Sequence, residues 1–260
     1  MTPIALAALL LLAPSPPAFG WTDPSRVRIV DNALRLLPRS LQELLGDRRG
    51  ALIAALLAPG STEDRPDHWQ HPEGAYGTAA NRAESEAKAL VAAVDAHNPV
   101  VEIVARFGRL AHWVADINDP LHTADRDPRL ARYYVDYQEY LESQLPRFRL
   151  VFLGYRSERL SGSGPRAFLL QSAERSRDYA RAVGRAYTPE GERVSPQAFD
   201  ERSLAFGVGS LAYSNAVNDI VRVWLWAWEG CNGDLSGTPF PLPATAPPET
   251  PGAAQGARTP

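Results

Sequence analysis

The chain has one cysteine, Cys231, so no intramolecular disulfide can form. The same scarcity rules out thiolate-rich zinc sites and leaves nitrogen and oxygen as donors for any metal. Its 27 Lys and Arg residues are dispersed among 30 Asp and Glu, for a formal net charge of -3. No basic run or Arg-rich helix offers a footprint for duplex nucleic acid. Beyond the first twenty residues, no stretch is long and apolar enough to be a transmembrane helix. There are five histidines, and none follows His122.

The opening segment, residues 1–20, reads as a secretory signal. Ile4 to Ala13 is an apolar run too short to span a bilayer, and Ala18-Phe19-Gly20 is a small-x-small cleavage sequence. No Lys or Arg precedes the run, and an N-terminal membrane anchor is the alternative. Cleavage after Gly20 leaves Trp21 as the new N-terminus and the product secreted or periplasmic. Its free amine and its own carbonyl oxygen could then chelate a metal in a five-membered ring. The plainer role for Trp21 is a hydrophobic anchor.

Helical periodicity runs through most of the remainder. Asp23-Pro24 is an N-cap and first-turn pair, and Val27, Val30, Ala33, Leu34 and Leu37 follow as an amphipathic helix. Ser40 opens a second helix to Leu57, with a break or kink at Gly50. Further helices are expected over Ala79–Ala96, up to Pro120, from Asp127-Pro128 through Leu145, and over Ala167–Tyr187. A long apolar helix from Ser195-Pro196 to Gly230 is suited to the middle of a bundle. Residues 235–260 are Pro, Ala, Thr and Gly without periodicity, which predicts a disordered tail. The fold class is all-α: one helical domain over 21–234, with about seven helices.

Chemistry concentrates in Phe107–Asp125. Val100, Val101, Ile103, Val104, Phe107, Leu110 and Ala111 mark one helical face as core. His112 and Asp116 continue that face at i and i+4, one turn apart. Pro120 ends the helix, and His122 lies just past the break, where a bent chain returns it toward the pair. Two imidazoles and a carboxylate converging on one point are donors suited to zinc. Alone, a His/Asp pair at this spacing is more often a hydrogen-bonded or capping pair. The polar loop 60–77 adds Asp64, His68 and His71, in a place where function often lies. His97, at a helix end, reads as a cation near the dipole rather than a ligand.

Trp21, then Glu63-Asp64 with His68, then His112-x-x-x-Asp116-x-x-x-Pro120-x-His122 together resemble the zinc-dependent phospholipase C / single-strand nuclease family. The resemblance runs from Trp21 to about Gly230 and is clearest over 60–122. Glu63-Asp64 followed by His68-Trp69 is nearest to the bacterial phospholipase branch. It implies a secreted helical phosphodiesterase using Zn²⁺. His68, His112 and Asp116 would hold the first zinc, with Asp64 at its edge as ligand or as the base orienting the attacking water. His122 would belong to a second zinc, and the Trp21 amine and carbonyl to a third, with Asp116 bridging.

Three family positions are altered. Arg26 stands where a histidine is expected near the N-terminus, and Tyr134 and Gln138 stand where His-x-x-x-Glu is expected. The first zinc keeps its ligand types, so one ion is expected. The second would need Gln138, His71 or solvent, and Tyr134 would have to ionise to replace an imidazole. At the third, Arg26 opposes a metal and is expected to pair with Asp116. The implied substrate is a phosphodiester, either phospholipid or single-stranded nucleic acid, with a membrane surface as the corresponding partner. Trp69, Tyr76 and Trp113 are candidates to stack on a base or line a lipid cleft, with Trp113 alternatively core. The competing function is a non-catalytic helical domain with at most one zinc, binding a lipid or protein.

Overall fold

A computed structural model describes residues 20–59, 65–157, 160 and 164–242. Helices account for nearly all regular structure among them. In chain order they are α1 (Asp23–Leu34), α2 (Arg39–Gly46), α3 (Arg49–Leu57), α4 (Arg65–His68), α5 (Ala79–Asp95), α6 (Val100–Ile117), α7 (Leu130–Gln144), α8 (Arg166–Gly184) and α9 (Leu204–Gly230). Short 3-10 turns at Pro120–His122, Leu145–Arg147 and Pro196–Phe199 complete the order. No strand forms among the described residues; isolated bridges join Gln70 to Gly77 and Tyr187 to Arg193. No described helix is long and apolar enough to cross a membrane.

α9 runs through the middle, as its composition predicts. Residues all round it are buried, from Ala205 to Ala227, and it packs against α1, α5, α6 and α8. Trp224, fully buried, donates its indole N–H to Phe107 O at 3.0 Å and sets its ring edge-on to the Phe107 ring. This ties the centre of α9 to the helix carrying His112 and Asp116.

Glycine lets two helices come unusually close. A Cβ at Gly108 would overlap the Leu52 backbone oxygen, so α3 and α6 can only approach this far with glycine at that position. The approach brings the last turn of α3 alongside His112.

Several expected boundaries move. Residues 39–57 form two helices, and the break falls after Gly46, with Asp47 and Arg48 between them, rather than at Gly50. Glycine and aspartate are weak helix formers, which favours a break at Gly46-Asp47. Arg49 then pairs both its Nε and its second amino group with Asp31 of α1, each at 2.8 Å. The last helix begins at Leu204, not at Ser195-Pro196. The Ser195 side chain caps the Pro196–Phe199 turn instead, and the Ser203 hydroxyl accepts from Phe206 N to start α9. The chain also stays in contact with the domain past Leu235: Arg39 N donates to Ser236 O, and Phe240 stacks on Phe152. Residues 1–19 of the expected 1–20 signal, and 243–260, the remainder of the expected tail, lie outside the described residues.

Candidate metal centre

α6 delivers His112 and Asp116 inward on one face, and both are buried. The chain then turns sharply. Asp119 Oδ1 accepts from Leu121 N at 2.9 Å, and His122 N donates to Asp119 O at 3.1 Å, closing the Pro120–His122 turn. The bend returns His122 toward the helix, with its Nδ1 3.6 Å from Asp116 Oδ1. His68 arrives on the single turn of α4, and its Nδ1 lies 2.6 Å from Asp116 Oδ2 and 3.1 Å from His112 Nε2. His112 Nε2 is 3.2 Å from the same Asp116 oxygen. One donor atom each from His68, His112 and Asp116 falls within a 4.8 Å span, as a metal-ligand set requires.

The loop after His68 is pinned to the turn. Gln70 N donates to His122 O at 3.1 Å, and Gly77, at φ +82°, folds so tightly on Trp69 that a Cβ there would overlap the Trp69 carbonyl. Only glycine combines that dihedral with that approach.

Hydrogen bonding fixes the histidine tautomer. His112 Nδ1 is 2.7 Å from Leu56 O, and a carbonyl can only accept, so Nδ1 carries the proton. The Nε2 lone pair therefore points at His68 and Asp116. A backbone carbonyl behind the imidazole is the usual outer support of a metal-binding histidine. Burial first, and then the Arg26 cation, lower the His112 pKa, which keeps the ring neutral and able to donate electrons. His122 is driven to about 3 by burial and is likewise neutral. Burial pushes Asp116 upward, but the Arg26 guanidinium and the neighbouring imidazoles outweigh it and hold the carboxyl well below its usual range.

Arg26 is set among these groups. Its Nε donates to Trp21 O at 2.9 Å, one terminal nitrogen lies 2.6 Å from Asp116 Oδ1, and the other lies 3.3 Å from His112 Nδ1. Trp21 itself is a buried anchor whose indole N–H donates to Ala115 O at 3.1 Å. Its carbonyl, expected as a metal ligand, is held by the Arg26 side chain.

The three remaining substitute ligands are otherwise engaged. The Tyr134 hydroxyl lies 3.0 Å from His122 Nε2 and accepts from Gly20 N, and burial raises its pKa well above 10, which opposes ionisation. Gln138 donates to Asp119 Oδ2 at 3.0 Å, and among the described residues its Oε1 is a buried oxygen with no hydrogen-bond partner. His71 is not at the centre. Its Nδ1 accepts from Glu73 N at 3.3 Å and its Nε2 faces Asp125 at 3.4 Å, within a surface network that includes Arg177. The Glu73 backbone N–H within the loop and the Asp125 carboxylate past the turn hold the ring.

Asp64 lies outside the described residues. Trp69, Tyr76 and Trp113 do not stand free. Trp69 stacks on His122 with ring centres 5.6 Å apart, Trp113 packs on His68 at 5.0 Å, and the Tyr76 hydroxyl donates to Ala124 O. Trp69 and Trp113 thus flank the histidines of the centre.

Two contributors escaped the sequence analysis. Leu56 acts only through its carbonyl, so nothing in its side chain signals the role. Asp119, buried with a pKa raised to about 6 by burial, positions His122 through the turn and holds Gln138. The Asp-Pro pair at 119–120 was the available signal, as an N-cap followed by proline.

The donor set fits a metal ion. Three convergent donors, two imidazoles and one carboxylate, make the kind of set that catalytic metal sites complete with water or substrate as the fourth ligand. At the Asp116 Oδ1 side the fit fails, because a guanidinium already lies against that oxygen.

No family model matches the chain, and no curated protein matches it in sequence. Solved structures do match. Alpha-toxin from Clostridium absonum aligns with a TM-score of 0.62 at 14% identity, covering 83% of this chain and 68% of that one. Alpha-toxin from an avian strain of Clostridium perfringens aligns with a TM-score of 0.59, again at 14% identity, covering 83% and 66%. The chain thus spans about two thirds of the length of either toxin. Identity this low establishes a shared all-helical fold and no more.

Proposed function

We propose that the chain is a secreted, zinc-dependent phosphodiester hydrolase of phospholipase C type, processed before Trp21. The observation that carries this is the buried convergence of His68, His112 and Asp116, with Leu56 O behind His112. The resemblance in sequence and the fold shared with clostridial alpha-toxins support it. Zinc in this set would polarise a phosphoryl oxygen and acidify a water.

The protein's own groups account for the rest. Asp116 and the imidazoles of His68 and His112 would present lone pairs to the ion, and Leu56 O locks the His112 ring. Arg26 supplies a fixed positive charge beside Asp116, where negative charge builds on phosphoryl oxygens. Trp69, Trp113 and Tyr134 exclude bulk water, which strengthens those electrostatic interactions. Asp64 is assigned as edge ligand or as the base that orients water. A phospholipid is the favoured substrate over single-stranded nucleic acid, since the chain carries a net charge of -3 and no basic run.

One observation favours a second function. Arg26 lies against Asp116, and Tyr134 and Gln138 are tied to His122 and Asp119, which removes metal charge that would otherwise aid catalysis. A non-catalytic lipid- or protein-binding domain with one zinc is consistent with that. Incubating zinc-loaded chain, processed to Trp21, with phosphatidylcholine vesicles and separately with single-stranded DNA decides between them. Release of phosphorylated headgroup, abolished by His112→Ala, supports the lipase. Cleavage of DNA alone moves the substrate to nucleic acid. No turnover of either by zinc-loaded chain leaves the non-catalytic domain.

A further inference from the structure

We infer that this centre holds a single metal ion, with Asp116 bridging that ion and the Arg26 guanidinium instead of bridging two metals. The inference rests on the zinc centre proposed above and goes beyond it in fixing the stoichiometry and the role of Arg26.

The two oxygens of Asp116 face different partners. Oδ2 points to His68 Nδ1 at 2.6 Å and His112 Nε2 at 3.2 Å, the side where the three donors converge. Oδ1 faces the other way, toward Arg26 at 2.6 Å and His122 Nδ1 at 3.6 Å. A second ion on the Oδ1 side would have to share that oxygen with a guanidinium, which carries only donors and stays charged.

Arg26 cannot easily withdraw. Its Nε is bonded to Trp21 O, its backbone N–H donates to Thr22 O at 2.9 Å, and only 4% of it is exposed. The Trp21 indole bonded to Ala115 O anchors this corner to α6, one residue before Asp116. The side chain is therefore held by α1, by the N-terminal turn and by α6 together. The carbonyl that a metal would need there is already accepting from Arg26.

Nor do the neighbouring groups replace missing ligands. The His122 Nε2 edge meets the Tyr134 hydroxyl, and Gln138 turns its amide N–H to Asp119. Among the described residues His122 Nδ1 is a buried nitrogen without a hydrogen-bond partner, facing the guanidinium side. One imidazole beside a fixed cation is a poor second site.

The test is zinc per chain, by elemental analysis after dialysis of zinc-loaded protein processed to Trp21, for wild type and four variants. One ion is expected in wild type, retained by His122→Ala and Arg26→Met and lost from His68→Ala. Arg26→His removes the cation, adds an imidazole and is expected to take up a second ion. Cobalt(II) substitution gives an independent readout: a lone ion shows full spin intensity, a coupled pair shows less. Circular dichroism checks each variant, and should Arg26→His not fold, the wild-type count and His122→Ala still decide. Two or more ions in wild type, or loss of an ion in His122→Ala, overturns the inference and leaves the zinc hydrolase intact. No ion in wild type overturns both.

Discussion

The Arg26 guanidinium lies 2.6 Å from the Asp116 carboxylate, in a place where neither residue is more than 4% exposed. Buried charges of this kind persist only when paired and further hydrogen-bonded. Here Arg26 also serves Trp21 O, and Asp116 also serves His68. The pair therefore belongs to the architecture of the site as well as its electrostatics.

Breaking the pair leaves an uncompensated buried charge. Arg26→Met is expected to cost about 3–5 kcal/mol in metal-free protein. For a domain of this size that is a fall in thermal midpoint of about 6 °C or more. Arg26→Lys recovers only part, since an ammonium cannot reach the Trp21 carbonyl and Asp116 in the same fork. An unchanged midpoint in Arg26→Met contradicts the structural role.

Gly108 sits one turn before His112, against the Leu52 backbone. Gly108→Ala would force α3 away from α6, and overpacking of this kind costs about 1–3 kcal/mol. Leu56 O would retreat from His112 Nδ1 at the same time. The expected outcome is a lower midpoint together with weaker zinc binding, of the 10- to 100-fold order, roughly, seen when outer support of a ligand is lost. Destabilisation with unchanged zinc affinity, measured by competition with a chelator, would separate packing from positioning and refute the link to His112.

A second buried carboxylate secures the end of α6. Asp219 Oδ2 accepts from Asn118 Nδ2 at 3.0 Å, Ser172 Oγ at 2.8 Å and Arg175 at 2.7 Å, joining α6, α8 and α9. Asn118 lies between Asp116 and the His122 turn. Asp219→Ala leaves those donors without an acceptor and is expected to cost about 3–5 kcal/mol. Asp219→Asn, which keeps one acceptor oxygen, should cost less. Chemical denaturation of both variants checks the order, and equal losses would contradict it.

Acid acts on this site through opposed groups, His112 and His122 on one side and Asp119 on the other. His122 is held at about 3 by burial, below its ordinary 6.5, so the unfolded chain binds that proton first. Its stabilising contribution is complete above about pH 6.5 and is lost as pH falls toward 3. Burial raises Asp119 to about 6 from 3.8, so the folded chain keeps a proton the unfolded chain has released. That contribution is complete below about pH 4 and is lost as pH rises to 6. Across pH 4–6 Asp119 offsets the loss from His122, while the lowered pKa of His112 adds to that loss, so metal-free wild type should lose stability on acidification from 6 to 4 less steeply than a variant without Asp119. Asp119→Asn removes the opposing group and should steepen the loss by about 1.4 kcal/mol per pH unit. An equal pH slope in both proteins contradicts this assignment.

The sequence made the centre legible to unequal depth. His112 and Asp116 were visible because helical spacing fixes their face, and Pro120 announced the bend that returns His122. The Arg26–Asp116 pair followed from an arginine at a position where a histidine was expected. The sequence does not place His71, because a loop has no periodicity: the Glu73 backbone N–H and the Asp125 carboxylate hold its ring, and only the fold brings Asp125 to it. Composition alone likewise does not say which aromatic packs on a histidine, as Trp69 does on His122 and Trp113 on His68. The break after Gly46 and the start of α9 at Ser203-Leu204 depended on choosing between neighbouring signals, Gly46 or Gly50 and Ser195 or Ser203. Packing made that choice.

The central claim is a hydrolase built on one zinc held by His68, His112 and Asp116. The direct measurement is phosphatidylcholine hydrolysis by chelator-stripped chain, processed to Trp21, as zinc is returned in sub-stoichiometric steps. The account predicts a rate that rises from zero, levels off at about one equivalent as expected for a single tight site, and stays at zero in His112→Ala. Hydrolysis that survives chelation, or that is unchanged in His112→Ala, would contradict it.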